Sequence, residues 1–268
     1  PRLGIETTMA DIRDPSSYEA AIQDNTKIMY IETITNPNLK VCDIPAMVEV
    51  AKRHNLLVVV DNTFASPWGC QPLSMGADLV IHSTTKYLGG HSDLLGGAVV
   101  GSKELISKIF MGRVHFGGAP DPHNCYLLER GMRTLHARMP ILTSNSAELA
   151  RRLQDHPNVV RVQHVTLPSH SEYEIAQRVV PKGCGMLGIV VAGGDEGAME
   201  FMSKLKLFYE ATSLGGVESL IEVPATSSHM AMPVDVRIAA GIEPGYVRIS
   251  VGIEDVEDLW EDLNQALG

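Results

Sequence analysis

Lys86 stands in the stretch HSTTKYLGGHSD, after a cluster of small hydroxyl side chains and before two glycines. A lysine in a loop is ordinarily a solvated charge. Its surroundings point elsewhere. Asp61 ends the apolar run NLLVVVD, and Lys86 follows the later apolar run GADLVI. An acid at one strand end and a lysine beyond another suit one cleft, because ligands of open α/β sheets gather where strands end. A partly desolvated lysine gives up its proton more readily, and the neutral amine forms Schiff bases with aldehydes. Ser83 and Thr85 add hydroxyl donors beside it, while Gly89 and Gly90 permit a tight backbone path. This set suits pyridoxal 5'-phosphate (PLP): a lysine for the aldehyde, an acid for the pyridine nitrogen and hydroxyls for the phosphate. Taken singly each feature is weak, since S-x-x-K arises by chance and a strand-end aspartate is commonly a turn residue.

The elements that must position these residues are legible from periodicity. TKIMYIE reads as a buried strand, and Ile44, Met47, Val48 and Ala51 recur at helical spacing. NLLVVVDNT, GADLVIHSTTKY and GGAVVGS follow as further apolar runs. Continuous apolar strands separated by helices predict a mostly parallel sheet covered on both faces. HNCYLLERGMRTLHARM is expected to be helical, and SAELARRLQDH to be another helix. VVRVQHV, MLGIVVAGG and GYVRISVG read as strands of a second, smaller α+β unit. The tail IEDVEDLWEDLNQALG puts Val256, Leu259, Trp260, Leu263 and Leu267 on one helical stripe, with a solvated acidic face opposite. The expected organisation is a large PLP-binding domain over 1–137 and a C-terminal α+β domain over 138–268.

The net charge of −10 disfavours nucleic acid and anionic membrane surfaces as partners. No apolar run reaches the roughly 20 residues of a membrane helix. The four cysteines are widely spaced, so neither a zinc site nor a disulfide framework is suggested, and a reducing, cytoplasmic setting is the default. The histidines show no metal-ligand spacing, so no metal is expected; His82 and His91 are read as local hydrogen-bonding residues.

VVVDNTFASP, followed by GADLVIHSTTKYLGGHSDLLGGAVVG, resembles the Cys/Met-metabolism family of PLP enzymes, which includes the cystathionine γ-lyases, γ-synthases and β-lyases and the methionine γ-lyases. The likeness extends through YIETITNPNLKVCDI, LERGMRTLHARM, LPSH, SLGGVESLIEVPA and YVRISVGIEDVEDLWEDLNQAL, and so spans essentially the whole chain. It implies PLP-dependent fold type I, a mostly parallel α/β sheet with a smaller C-terminal α+β domain. It also implies roles: Lys86 as the PLP-bonded lysine and proton carrier, Asp61 at the pyridine nitrogen, and Ser83 and Thr85 at the phosphate. By the same likeness Arg248 clamps the substrate carboxylate, while Asn36 and Ser213 line the cofactor and that carboxylate. The expected activity is elimination of the thiol from cystathionine or a related thioether by a homotetramer acting on small sulfur amino acids. γ-Replacement by a cystathionine γ-synthase or sulfhydrylase, methionine γ-elimination and a non-catalytic fragment are the alternatives.

Two departures from the family pattern bear on this. The upstream segment that supplies the ring stacking on PLP and a glycine-rich phosphate turn has no counterpart. Thr212 stands where many members that handle cystathionine carry glutamate, which removes a charge able to hold the distal amine. The isolated chain is therefore expected to bind PLP weakly. A visible-absorption titration with PLP checks this, and a full, stable cofactor band would overturn it.

Overall fold

The computed structural model describes residues 3–268 and shows two sheets joined by one long helix. The first sheet runs β1 (Ile28–Glu32), β2 (Leu57–Asp61), β3 (Leu79–Ser83) and β4 (Gly97–Gly101) in that order. The first three strands are parallel, and β4 returns antiparallel against β3. Register pairs Glu32 with Asp61 and Asp61 with Ile81, so the polar ends of the apolar runs lie side by side.

Around this sheet lie α1 (Pro15–Ala20), α2 (Ile44–Arg53), α3 (Ser66–Gly69), α4 (Lys103–Phe116) and α5 (Pro122–Met132). Asp43 caps α2 by accepting the Ala46 N–H, and proline occupies its first turn. The spaced residues Ile44, Met47, Val48 and Ala51 are all buried in a core shared with β1, β2 and Leu39. Helix α6 (Leu135–Leu153) leads to the second sheet, β5 (Val159–Gln163), β6 (Met186–Val191), β7 (Tyr209–Glu210), β8 (Leu220–Glu222) and β9 (Tyr246–Ser250). Its order is β5-β6-β9-β8-β7, antiparallel except for the β7–β8 pair. Helices α7 (Tyr173–Val179), α8 (Gly194–Lys204), α9 (Val234–Ala239) and α10 (Val256–Leu267) complete the chain. Leu149 and Leu153 of α6 pack with β6, β9, α8 and α10 in a second core.

Several expectations need correction. β1 is half-buried: Ile28 and Tyr30 are exposed, because this strand forms the edge of the sheet. The β4 valines are also only partly covered. The helical texture after residue 120 divides differently from the reading by sequence. α5 ends at Met132, and the two stretches LHARM and SAELARRL form one continuous α6 that tolerates Pro140 near its start. In α10, Asp262 is buried although it belongs to the acidic face. Its carboxylate accepts the N–H groups of Lys206 and Leu207 at 2.7–3.0 Å, which satisfies the charge.

Leu149 is fully buried between α6 and the second sheet. Leu149→Ala is expected to lower stability by about 2–5 kcal/mol through lost contact and a residual cavity. Urea unfolding measures this, and an unchanged midpoint would contradict the packing.

Candidate active site

β3 ends at Ser83, and the chain then winds one wide π-type turn over Thr84–Leu88, closed by the Gly89 N–H donating to the Thr84 carbonyl at 2.9 Å. Lys86 interrupts this turn with φ −93° and ψ −135°. Gly90 follows at φ +73°, a conformation suited to glycine, and the Arg138 guanidinium lies where a side chain at 90 would sit. Gly215 brings a second loop against the same turn. A Cβ at Gly215 would stand 2.8 Å from the Tyr87 nitrogen, so only glycine lets the Ser213–Gly216 stretch approach this closely.

That approach gives Lys86 its partner: its Nζ donates to the Ser213 Oγ at 2.9 Å. Lys86 is half-buried, and its pKa is lowered, first by desolvation and then by the nearby Arg248 charge, with Glu222 acting in the opposite sense. Arg248 on β9 is buried at 2 % exposure. Its Nη1 donates to the Asn36 Oδ1 at 2.7 Å and stands 2.8 Å from the Glu222 Oε1; its Nη2 donates to the carbonyls of Thr212 and Ser213. The Nε is buried with no hydrogen-bond partner. On the other face of β9, Val247, Ile249 and Val251 sit in the second core.

Asn36 comes from the first sheet. Its turn follows β1, and its backbone N–H donates to the Glu32 Oε2 at 3.2 Å. The C-terminal half grips the same loop at other points: the Tyr246 hydroxyl of β9 donates to the Pro37 carbonyl, and a ring nitrogen of His170, in the loop before α7, lies 3.0 Å from the Leu39 carbonyl. At the end of β2, Asp61 Oδ1 accepts the Thr63 N–H at 2.9 Å and Oδ2 accepts the Tyr30 hydroxyl at 3.2 Å. The Thr63 hydroxyl in turn accepts the Ser83 N–H at 2.9 Å. Thr85 lies apart from this pair, with its hydroxyl accepting the Gly96 N–H at 3.0 Å.

The sequence-derived residues therefore fall into groups. Lys86, Ser213, Arg248 and Asn36 are joined directly by hydrogen bonds. Asp61 and Ser83 meet through Thr63. Among the described residues no hydrogen bond or ion pair joins Asp61 to Lys86. Sequence reasoning missed Tyr30, Glu32, Thr63 and Glu222. Glu32 and Glu222 carried a usable signal, because each is an acid within or closing an apolar strand run.

The residues present fit PLP. Lys86 offers a half-buried amine with a lowered pKa. Asp61 has donors on both carboxylate oxygens, which fix its orientation at the end of β2. Gly215 and Gly90 keep the backbone close around the lysine.

The family described as Cys/Met metabolism PLP-dependent enzyme matches residues 1–268. The chain belongs to that family. It is 46% identical over 269 residues to a cystathionine gamma-lyase of Bacillus subtilis (strain 168), covering 99% of this chain and 70% of the relative. An L-methionine gamma-lyase of Porphyromonas gingivalis is 41% identical over 269 residues, covering 99% and 67% respectively. The solved cystathionine gamma-lyase from Lactobacillus plantarum complexed with L-serine superposes with a TM-score of 0.93 at 39% identity, over 97% of this chain and 68% of that one. The fold is accordingly α/β, of PLP-dependent fold type I, and PLP is the cofactor of the family.

Glu222 is 1 % exposed beneath Arg248. Glu222→Ala leaves a buried guanidinium without its counter-charge and is expected to cost about 3–5 kcal/mol. Glu222→Gln keeps an acceptor oxygen and is expected to cost less. Denaturant unfolding of both variants checks the order, and equal losses would contradict the charge pairing.

Proposed function

We propose that the protein is a PLP-dependent carbon–sulfur lyase of sulfur amino acid metabolism. It eliminates the thiol from cystathionine or a related thioether and, with water, yields cysteine, a 2-oxo acid and ammonia. The observation that carries this reading is the Lys86 amine, half-buried on the Ser213 hydroxyl beside the Arg248 fork. The printed activities of the relatives, cystathionine and methionine gamma-lyases among them, support the same class.

When bound, PLP supplies an aldehyde that condenses with amines and a ring that accepts electrons. Arg248 and Asn36 bind the substrate carboxylate, with the carbonyl partners of Nη2 giving way. Binding there orients the Cα–H bond toward Lys86. Lys86, whose pKa is lowered by desolvation and by the nearby Arg248 charge, takes the Cα proton. It then moves a proton at Cβ and returns one to the departing sulfur. Ser213 holds the amine in place between these transfers. Asp61, fixed by Thr63 and Tyr30, would hold the ring nitrogen. Ser83 and Thr85 serve the phosphate.

Thr212 favours a second substrate assignment. Its side chain carries no charge to hold a distal ammonium, which suits methionine or an O-acylhomoserine undergoing γ-replacement. The proposal also includes a cytoplasmic homotetramer. Supporting an assembly, α4 buries none of its residues and exposes Phe110, Met111, Val114 and Phe116. Among the described residues no helix is long and apolar enough to cross a membrane.

Lys86→Ala is expected to abolish turnover, and retained turnover in the PLP-loaded enzyme would refute the role. Parallel assays with cystathionine, methionine and O-acylhomoserine separate the reactions by 2-oxo acid release against new thioether. Release of 2-oxo acid from none of them would sink the lyase reading.

A further inference from the structure

Two carboxylates close the first sheet. Glu32 and Asp61 are register partners at the ends of neighbouring parallel strands, so their side chains leave the same face about 4.8 Å apart along the sheet. Their surroundings differ. Asp61 receives a donor on each oxygen, from Thr63 and Tyr30. Glu32 receives one, the backbone N–H of Asn36. The ionisable groups around Glu32 are Asp61 from β2, Tyr30 from its own strand and Tyr18 from α1. Each is acidic, and none offers compensation for a negative charge. Two carboxylates so placed repel each other when both are ionised, and Glu32 is the one with the fewer donors.

We propose that Glu32 is a positioning residue of the PLP site: as a neutral acid it anchors the Asn36 turn and leaves Asp61 as the one negative charge at these strand ends. This rests on the PLP reading above. Enclosure and the Asp61 charge raise Glu32 to about 7, against the partial opposition of the Asn36 N–H. A raised carboxyl adds stability below its unfolded value, and that contribution is lost as pH rises through about 7. In function the same ionisation sets a second negative charge behind Asn36, which binds the substrate carboxylate together with Arg248. Substrate affinity then falls as pH rises, while the proton transfers by Lys86 do not involve Glu32.

The test uses the PLP-loaded enzyme. Between pH 6 and 8, KM of the wild type is expected to rise about five-fold, the size of one added like charge at this range, whereas KM of Glu32→Gln stays level. Superimposable KM profiles would overturn the proposal. A neutron structure of the wild type at pH 6 decides it without any variant: a deuteron on Glu32 with none on Asp61 supports it, and a bare Glu32 carboxylate overturns it. PLP uptake, read by visible absorption, separates this from the parent reading. A wild type that takes up no PLP defeats both, whereas a loaded enzyme with an ionised Glu32 defeats this one alone.

Discussion

The guanidinium of Arg248 is the constraint on which the site depends. A fixed positive charge at 2 % exposure has to be surrounded by acceptors. Those acceptors come from separate parts of the chain: Glu222 on β8, the loop carbonyls of Thr212 and Ser213, and the Asn36 amide after β1. Satisfying one charge therefore holds the Ser213 loop against the Lys86 turn and docks the first sheet on the second. The loop from residue 35 to 41 is held twice more, by Tyr246 and by His170, so this docking does not hang on a single bond.

Parallel pairing supplies the second ingredient. Because β1, β2 and β3 run the same way, their polar ends emerge together, and Glu32, Asp61 and Ser83 crowd one rim. An antiparallel arrangement would have scattered them to opposite edges. Donors at the rim then set the carboxylates in different environments, with a backbone N–H and the Tyr30 hydroxyl on Asp61 and a single backbone N–H on Glu32.

Lys86 owes its chemistry to both features. The wide turn after β3 lifts it off the sheet, and the Ser213 loop covers it enough to lower its pKa. The neighbouring positive charge of Arg248 adds to that effect.

The polar terminations of the apolar runs by themselves determined where Asp61 and Lys86 stand, and the helical spacing of α2 and the face of α10 were equally plain. Periodicity and strand-end polarity are local properties, set by the repeat of the backbone. Asn36, Ser213 and Arg248 had no such signal, and their roles rested on resemblance to a family. Only the folded chain decided that they meet, since a hydrogen bond between residues 36 and 248 depends on how two sheets dock. The edge position of β1, the merging of two helical stretches into α6 and the burial of Asp262 were also settled there. Each turns on which surfaces the rest of the chain covers, a property that no short window of residues contains.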